Sequence, residues 1–115
     1  MKTKKNIRAN FRNEVFKRDN YTCQLCGIQY TTKPEWFDAH HITDRSEMIN
    51  GGYVKENGIT VCKEALVSFE TSCHMKCEKY HISGGNEWEE GLHPDDLYKL
   101  IKSSKDLAIE KSKLL

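Results

Sequence analysis

No stretch of this 115-residue chain approaches the run of about 18 apolar residues that a membrane-spanning helix requires. The N-terminal Met1-Lys2-Thr3-Lys4-Lys5 is basic, but Asn6-Ile7-Arg8-Ala9-Asn10 follows where a secretory signal would need a continuous apolar segment. Both absences lead to the expectation of a soluble, cytoplasmic protein with no membrane partner. Charge of one sign is also lacking: the net charge is +1, which by itself predicts no polyanionic partner. Apolar material is scarce, with 37% hydrophobic residues and a mean hydropathy of -0.74. A core built from it will be modest, and small domains short of core draw on disulfides or a metal for the rest. No internal repeat, low-complexity segment or linker divides the chain, so residues 1–115 read as a single domain.

What is present is chemistry-bearing side chains in a definite order. Five cysteines are an odd number, and a Cys23-x2-Cys26 pair in a reducing compartment fits a zinc half-site or a redox site better than a disulfide framework. Cys23, Cys26, Cys62 and Cys73 can supply the four tetrahedral thiolates of a structural Zn²⁺ site. Such a site contributes roughly 10–16 kcal/mol of apparent binding energy to folding, comparable to the whole stability of a domain. Ten residues separate Cys62 from Cys73, an insertion that can loop out because closure entropy grows only logarithmically. Cys77 competes with Cys73 for the fourth place, or serves as a small core residue.

The basic residues are unevenly spread. Lys2, Lys4, Lys5, Arg8, Arg12, Lys17 and Arg18 crowd the first eighteen residues against one acid, Glu14, whereas Glu87, Glu89, Glu90, Asp95 and Asp96 gather later. A basic arm of this kind suits phosphate-backbone contact, and equally suits a solvated tail. Phe11, Val15 and Phe16 make a short amphipathic helix of residues 8–18, and Tyr21 to Gly27 a knuckle presenting two thiolates. Thr31, Thr32, Lys33 and Pro34 mark a loop before a strand-like run over 36–42, and Asn57 to Cys62 is a turn leading into a second short strand. Ala65, Leu66, Val67 and Phe69 suggest that the insertion is a small apolar one. A helix is expected over 73–81, stopped by Ser83-Gly84-Gly85, and a last helix from Pro94 with Leu97, Leu100, Ile101, Leu107, Ile109 and Leu114 on its apolar side. Tyr21, Tyr30, Trp36 and Trp88 are expected to pack in or near the core rather than stack on bases.

The histidines carry the sharpest signal. Neighbours on a strand point to opposite faces, so His40 and His41 cannot share a role unless the backbone bends there. One can bind a metal while the other faces a substrate. His74 follows Cys73 directly, so a zinc knuckle and a hairpin together could set it against the pair.

Four fragments in this order, Arg18-Asp19-Asn20-Tyr21-Thr22-Cys23-Gln24-Leu25-Cys26-Gly27, Ala39-His40-His41-Ile42, Asn57-Gly58-Ile59-Thr60-Val61-Cys62 and Cys73-His74-Met75-Lys76-Cys77-Glu78, resemble the HNH endonucleases. The resemblance runs over about residues 11–81. It implies an α+β fold: a small ββα-metal (His-Me finger) core with a structural zinc site and flanking N- and C-terminal helices. Residues 1–20 would form the basic arm and helix, 21–82 the core and 83–115 a C-terminal helical extension.

By the same resemblance, His40 and His74 are ligands of a catalytic divalent ion, His41 is the general base, and Asn57 holds the hairpin loop and orients that base. Glu78, one helical turn after His74, corresponds to a ligand that some members add, and is equally readable as a solvent-facing acid. His81 is a weaker candidate. Lys4, Lys5, Arg8, Arg12 and Arg18 would contact DNA phosphates. The implied activity is metal-dependent hydrolysis of DNA phosphodiesters with Mg²⁺, Mn²⁺, Ni²⁺ or Zn²⁺. The implied source is a phage or mobile element, some of whose nucleases act beside packaging proteins. The insertion and Cys77 depart from the family pattern. Two other functions fit the residues: a non-catalytic zinc-dependent nucleic-acid-binding module, and a protein-interaction adaptor using the final helix.

Overall fold

The structure is a computed structural model and describes residues 3–29, 34–63 and 72–115. The first helix, α1, spans Lys4–Arg18, and Thr3 caps it by accepting the Asn6 N–H at 3.1 Å. It starts earlier than the apolar pattern suggests, so the basic arm is itself helical from Lys4 onward. The cap and the absence of proline and glycine extend the helix beyond its buried face of Phe11, Val15 and Phe16. It stops at Asp19, after which Asn20 and Tyr21 take left-handed conformations with φ of 55° and 53°.

Arg18 then fastens the helix end to the sheet. Its guanidinium donates to both Asp19 carboxylate oxygens at 2.8 and 2.9 Å and to the carbonyls of Lys55 and Gly58. Asp19 in turn accepts the Thr60 N–H at 2.9 Å. The α1 end and the second strand are therefore one hydrogen-bonded unit.

That sheet has two antiparallel strands, β1 at Phe37–His41 and β2 at Gly58–Cys62, in a register that sets Phe37 opposite Cys62 and His41 opposite Gly58. Every residue of β2 is buried, because α1 packs against it. Gly58 is required by that approach: a Cβ there would lie 2.5 Å from Val15 Cγ2 and 2.7 Å from the Phe11 ring. Phe37, Ile42, Ile59, Val61 and Leu97 complete a core closed by the helices.

The strand connection is polar and would be costly to bury without partners. Asn57 supplies them. Its backbone carbonyl accepts from Ile42, its Oδ1 accepts the Thr43 N–H at 2.9 Å, and its Nδ2 donates to the carbonyls of Thr43 and Gly52. The helix α2 follows at Cys73–Ile82, with Ser72 accepting the Met75 N–H as its cap.

The expected single C-terminal helix is two, α3 at Pro94–Leu100 and α4 at Lys105–Ser112. Lys102 takes a φ of 56°, Ser103 donates to the Glu56 carbonyl, and Ser104 caps α4 through the Leu107 N–H. Local caps thus override the apolar spacing, and Leu100, Leu107 and Leu114 are exposed. Trp88 is a second correction, being a surface residue 44% exposed against the rings of Tyr80 and His93. Tyr21 packs on the core and Trp36 is half-buried. The expectations for Lys2, Tyr30, the loop at 31–33 and the apolar insertion from Ala65 to Phe69 lie outside the described residues. Among the described residues, four helices and one two-stranded sheet make a small α+β domain. None of these helices is long and apolar enough to cross a membrane.

Candidate functional site

Two clusters of metal-ligating side chains form, one around the C-terminal end of β2 and one between β1 and α2. The first joins Cys23, Cys26, Cys62 and Cys73, whose sulfur atoms all lie within 4.8 Å of one another. The turn after α1 builds half of it: Gly27 takes a φ of 80°, and the Cys26 N–H points at Cys23 Sγ at 3.4 Å. β2 delivers Cys62, and the first residue of α2 is Cys73. The Cys26–Cys62 sulfur separation of 3.8 Å matches the edge of a tetrahedron with Zn–S bonds of about 2.3 Å, which is about 3.8 Å.

The thiols' acidities point the same way. Cys23 is held down to about 4, chiefly by the Cys73 thiol donating to it, while Cys73 is pushed up by the same contact. Cys26 is pushed up to about 11 by burial. Thiolates at this spacing would be stabilised by a dication such as Zn²⁺. Cys77 lies outside the group; it is 1% exposed on the inner face of α2, where burial raises its thiol to about 12.

The second cluster joins His40, His74 and Glu78, whose ligand atoms again lie within 4.8 Å of one another. His40 comes from β1, and His74 and Glu78 lie one turn apart on α2. Glu78 Oε1 stands 3.2 Å from His40 Nδ1 and 3.3 Å from His74 Nε2. This carboxyl is held well below the usual carboxylate range by His40 first and His74 second. Burial drives the His40 imidazole toward its neutral, metal-ligating form. Burial also works on His74, but the carboxylates of Glu78 and Asp38 outweigh it and raise that ring. Two imidazole nitrogens and a carboxylate oxygen at this spacing suit a divalent cation with coordination positions to spare.

His41 faces away from this cluster. Its ring lies between Phe11 and Tyr53, at 4.5 and 4.7 Å between centroids, in an open cleft of about 280 Å³ lined also by Arg8, Arg12, Asp38 and Arg45. Burial first, and His40 second, push its pKa down to about 4, so the ring is neutral at physiological pH. His81 donates a ring N–H to the His41 carbonyl at 3.0 Å and stacks on His40 at 5.2 Å, fixing the backbone between the two roles. Asn57, fully buried, holds the residues after His41 as described above.

The basic residues divide into two groups. Lys4, Lys5 and Arg8 are exposed along α1, and Arg8 and Arg12 reach the His41 cleft, Arg12 also pairing with Asp38 at 3.9 Å. Arg18, expected beside them on the phosphate-binding face, is instead bound to Asp19 and two carbonyls within the fold. Sequence reasoning missed three residues. Asp38, 3.0 Å from His74 Nε2, is two positions before His40 and therefore on its face of the strand, a period that was available to read. Arg45, in the polar connection, has no such signal. Tyr98, on α3, donates to Asn57 Oδ1 at 2.7 Å and accepts from Thr43 at 2.7 Å. No family model matches the chain, and no curated protein or solved structure matches it either.

Proposed function

We propose that the protein is a metal-dependent DNA endonuclease of the HNH type, with a ββα-metal core made by β1, β2 and α2 and buttressed by a four-cysteine zinc site. One observation carries the reading: a three-ligand cluster, His40, His74 and Glu78, backs directly onto an arginine-lined cleft that holds a neutral imidazole, His41. A cluster that only stabilised the fold would be expected to fill its coordination from protein, as the four thiols do.

Neutral His41 accepts a proton from the water that attacks phosphorus. Asn57 and His81 hold the backbone from the His41 carbonyl to Thr43, just after that ring. Arg8, Arg12 and Arg45 place positive charge around the cleft, where a phosphodiester's negative charge would sit. His40, His74 and Glu78 would hold a divalent cation such as Mg²⁺ or Mn²⁺, which supplies charge stabilisation to the phosphate and its leaving oxygen. The remainder of α1, with Lys4 and Lys5, adds phosphate contacts that are independent of sequence and weaken steeply with salt.

The test is plasmid nicking by the zinc-loaded protein in Mg²⁺ or Mn²⁺. His41→Ala is expected to lower the rate by about 10²–10⁴ while zinc content and circular dichroism stay unchanged. Undiminished nicking by that variant would remove His41 from the mechanism, and DNA retardation without cleavage in any divalent ion would favour a purely binding module.

A further inference from the structure

A second hollow adjoins the His41 cleft and differs from it in chemistry. This groove, about 320 Å³ in volume, runs between α1 and the turn at Asn50 and Gly51, and it shares Arg8 and Tyr53 with the cleft. Ile7, Tyr53 and Leu115 make its lining mainly apolar, with Asn50 and Lys4 as polar members. The cleft is instead lined by Arg8, Arg12, Asp38 and Arg45. Guanidinium groups suit a phosphate, whereas an apolar wall with an amide suits the base that the same nucleotide carries.

The wall common to the two hollows is held in place. The Tyr53 ring meets the Phe11 and His41 rings perpendicularly, at 5.7 and 4.7 Å between centroids, and its hydroxyl accepts from Arg45 at 3.4 Å. On the turn, Asn50 and Gly51 take left-handed conformations with φ of 52° and 78°, and a Cβ on Gly51 would lie 2.6 Å from Tyr53 Cε2. Glycine is therefore needed for the turn to close on the ring. Asn50 Nδ2 donates to the Ser112 carbonyl at 3.0 Å, which anchors the amide and leaves Oδ1 as its acceptor. A fixed aromatic wall and an anchored amide lose little freedom when a ligand enters.

We infer that this groove is a subsite for a nucleobase, carried by a nucleotide that flanks the phosphodiester in the His41 cleft. The inference rests on the proposed function only in taking a phosphodiester as the occupant of the cleft. A base hangs one sugar from its phosphate, and the groove lies one aromatic ring from His41, so a single nucleotide spans both. Arg8, whose guanidinium carbon is 5.8 Å from the Tyr53 ring centroid, borders both hollows and puts positive charge where phosphate and base part. A base that is stacked and paired within a duplex does not enter such a groove. The substrate is therefore a strand that is single, or unpaired at that nucleotide.

Fluorescence anisotropy of the whole zinc-loaded chain, without added Mg²⁺ or Mn²⁺, compares two end-labelled strands of equal phosphate count. One is thymidine DNA and the other is built from abasic tetrahydrofuran units. Wild type is expected to bind the base-bearing strand at least about fivefold more tightly, the lower end of what one base on an aromatic side chain contributes. Tyr53→Ala and Ile7→Gln, each checked for folding by circular dichroism, should bring that ratio close to one. Trp88→Ala removes an exposed aromatic outside the groove and should keep it. A wild-type ratio near one, a ratio that both groove variants leave at the wild-type value, or its loss in Trp88→Ala would each overturn the inference. Adding Mn²⁺ to the thymidine strand tests cleavage separately. The ratio without cleavage would keep the base subsite and fail the endonuclease reading, and cleavage without the ratio would do the reverse.

Discussion

The two ligand clusters share α2, where Cys73 and His74 are adjacent, yet they differ in what they leave open. Three of the four cysteines are buried, and their four sulfur atoms lie close enough together to hold a metal such as zinc among themselves. Beside them His40 is buried, but the side chains of His74 and Glu78 are 26% and 30% exposed. Adjacent residues on one helix turn therefore serve a site that closes on itself and one that faces outward. Saturated soft ligation locks the polypeptide; unsaturated harder ligation next to a cleft is suited to chemistry.

Removing the closed site should have the largest effect. Chelation of zinc, or Cys23→Ser, is expected to abolish the cooperative thermal transition, since the roughly 10–16 kcal/mol from such a site exceeds what this modest core can replace. Calorimetry with and without chelator reads the outcome, and a retained transition would show that burial alone holds the α1 turn to β2. Cys77→Ala separates the thiols further: as a packing residue outside the cluster it should cost about 1 kcal/mol and leave zinc stoichiometry at one. Loss of zinc from that variant would place Cys77 in the closed site instead of Cys73.

Intermediate effects sharpen the division among the arginines. Arg18→Ala leaves the buried Asp19 carboxylate without its bidentate partner and should destabilise the fold by roughly 3–5 kcal/mol, measured by urea denaturation. Arg8→Ala, at an exposed position on the cleft rim, should change stability by less than about 0.5 kcal/mol and reduce the salt dependence of DNA binding. Reversed results would return Arg18 to the nucleic-acid face.

Much of this was legible in the sequence because ligand chemistry restricts which residues can serve and at what spacing. The four cysteines come together, as do His40, His74 and Glu78, while His41 lines a separate cleft and Asn57 is bonded into the hairpin connection. Arg18 was not separable from its basic neighbours by composition; only Asp19, adjacent and buried, marks it as structural. The break between α3 and α4 was hidden by an apolar pattern that continues across it, while the signal for the break, Ser103-Ser104 followed by Leu107, is a cap that also occurs on exposed helix faces. Tyr98 was invisible for another reason. Its partner lies 41 residues earlier in the chain, so nothing local distinguishes it from a packing aromatic.

Tyr98 also gives the smallest and most specific test of how the open site is supported. Its hydroxyl is 2.7 Å from both Asn57 Oδ1 and Thr43 Oγ1, and all three residues are buried. With the phenol proton given to Asn57, Thr43 donates in return, and every polar group at the join of α3 to the hairpin connection is satisfied. Tyr98→Phe keeps the ring packing and removes one hydroxyl, so it should cost about 1–2 kcal/mol with zinc content unchanged. The companion Thr43→Val removes the other side of the bond. If the hydroxyls act as a pair, the double variant should cost less than the sum of the two single ones in a urea-denaturation cycle. Strict additivity would mean that α3 covers the connection without holding Asn57, and that the support of the open site is complete within the sheet, its connection and α2.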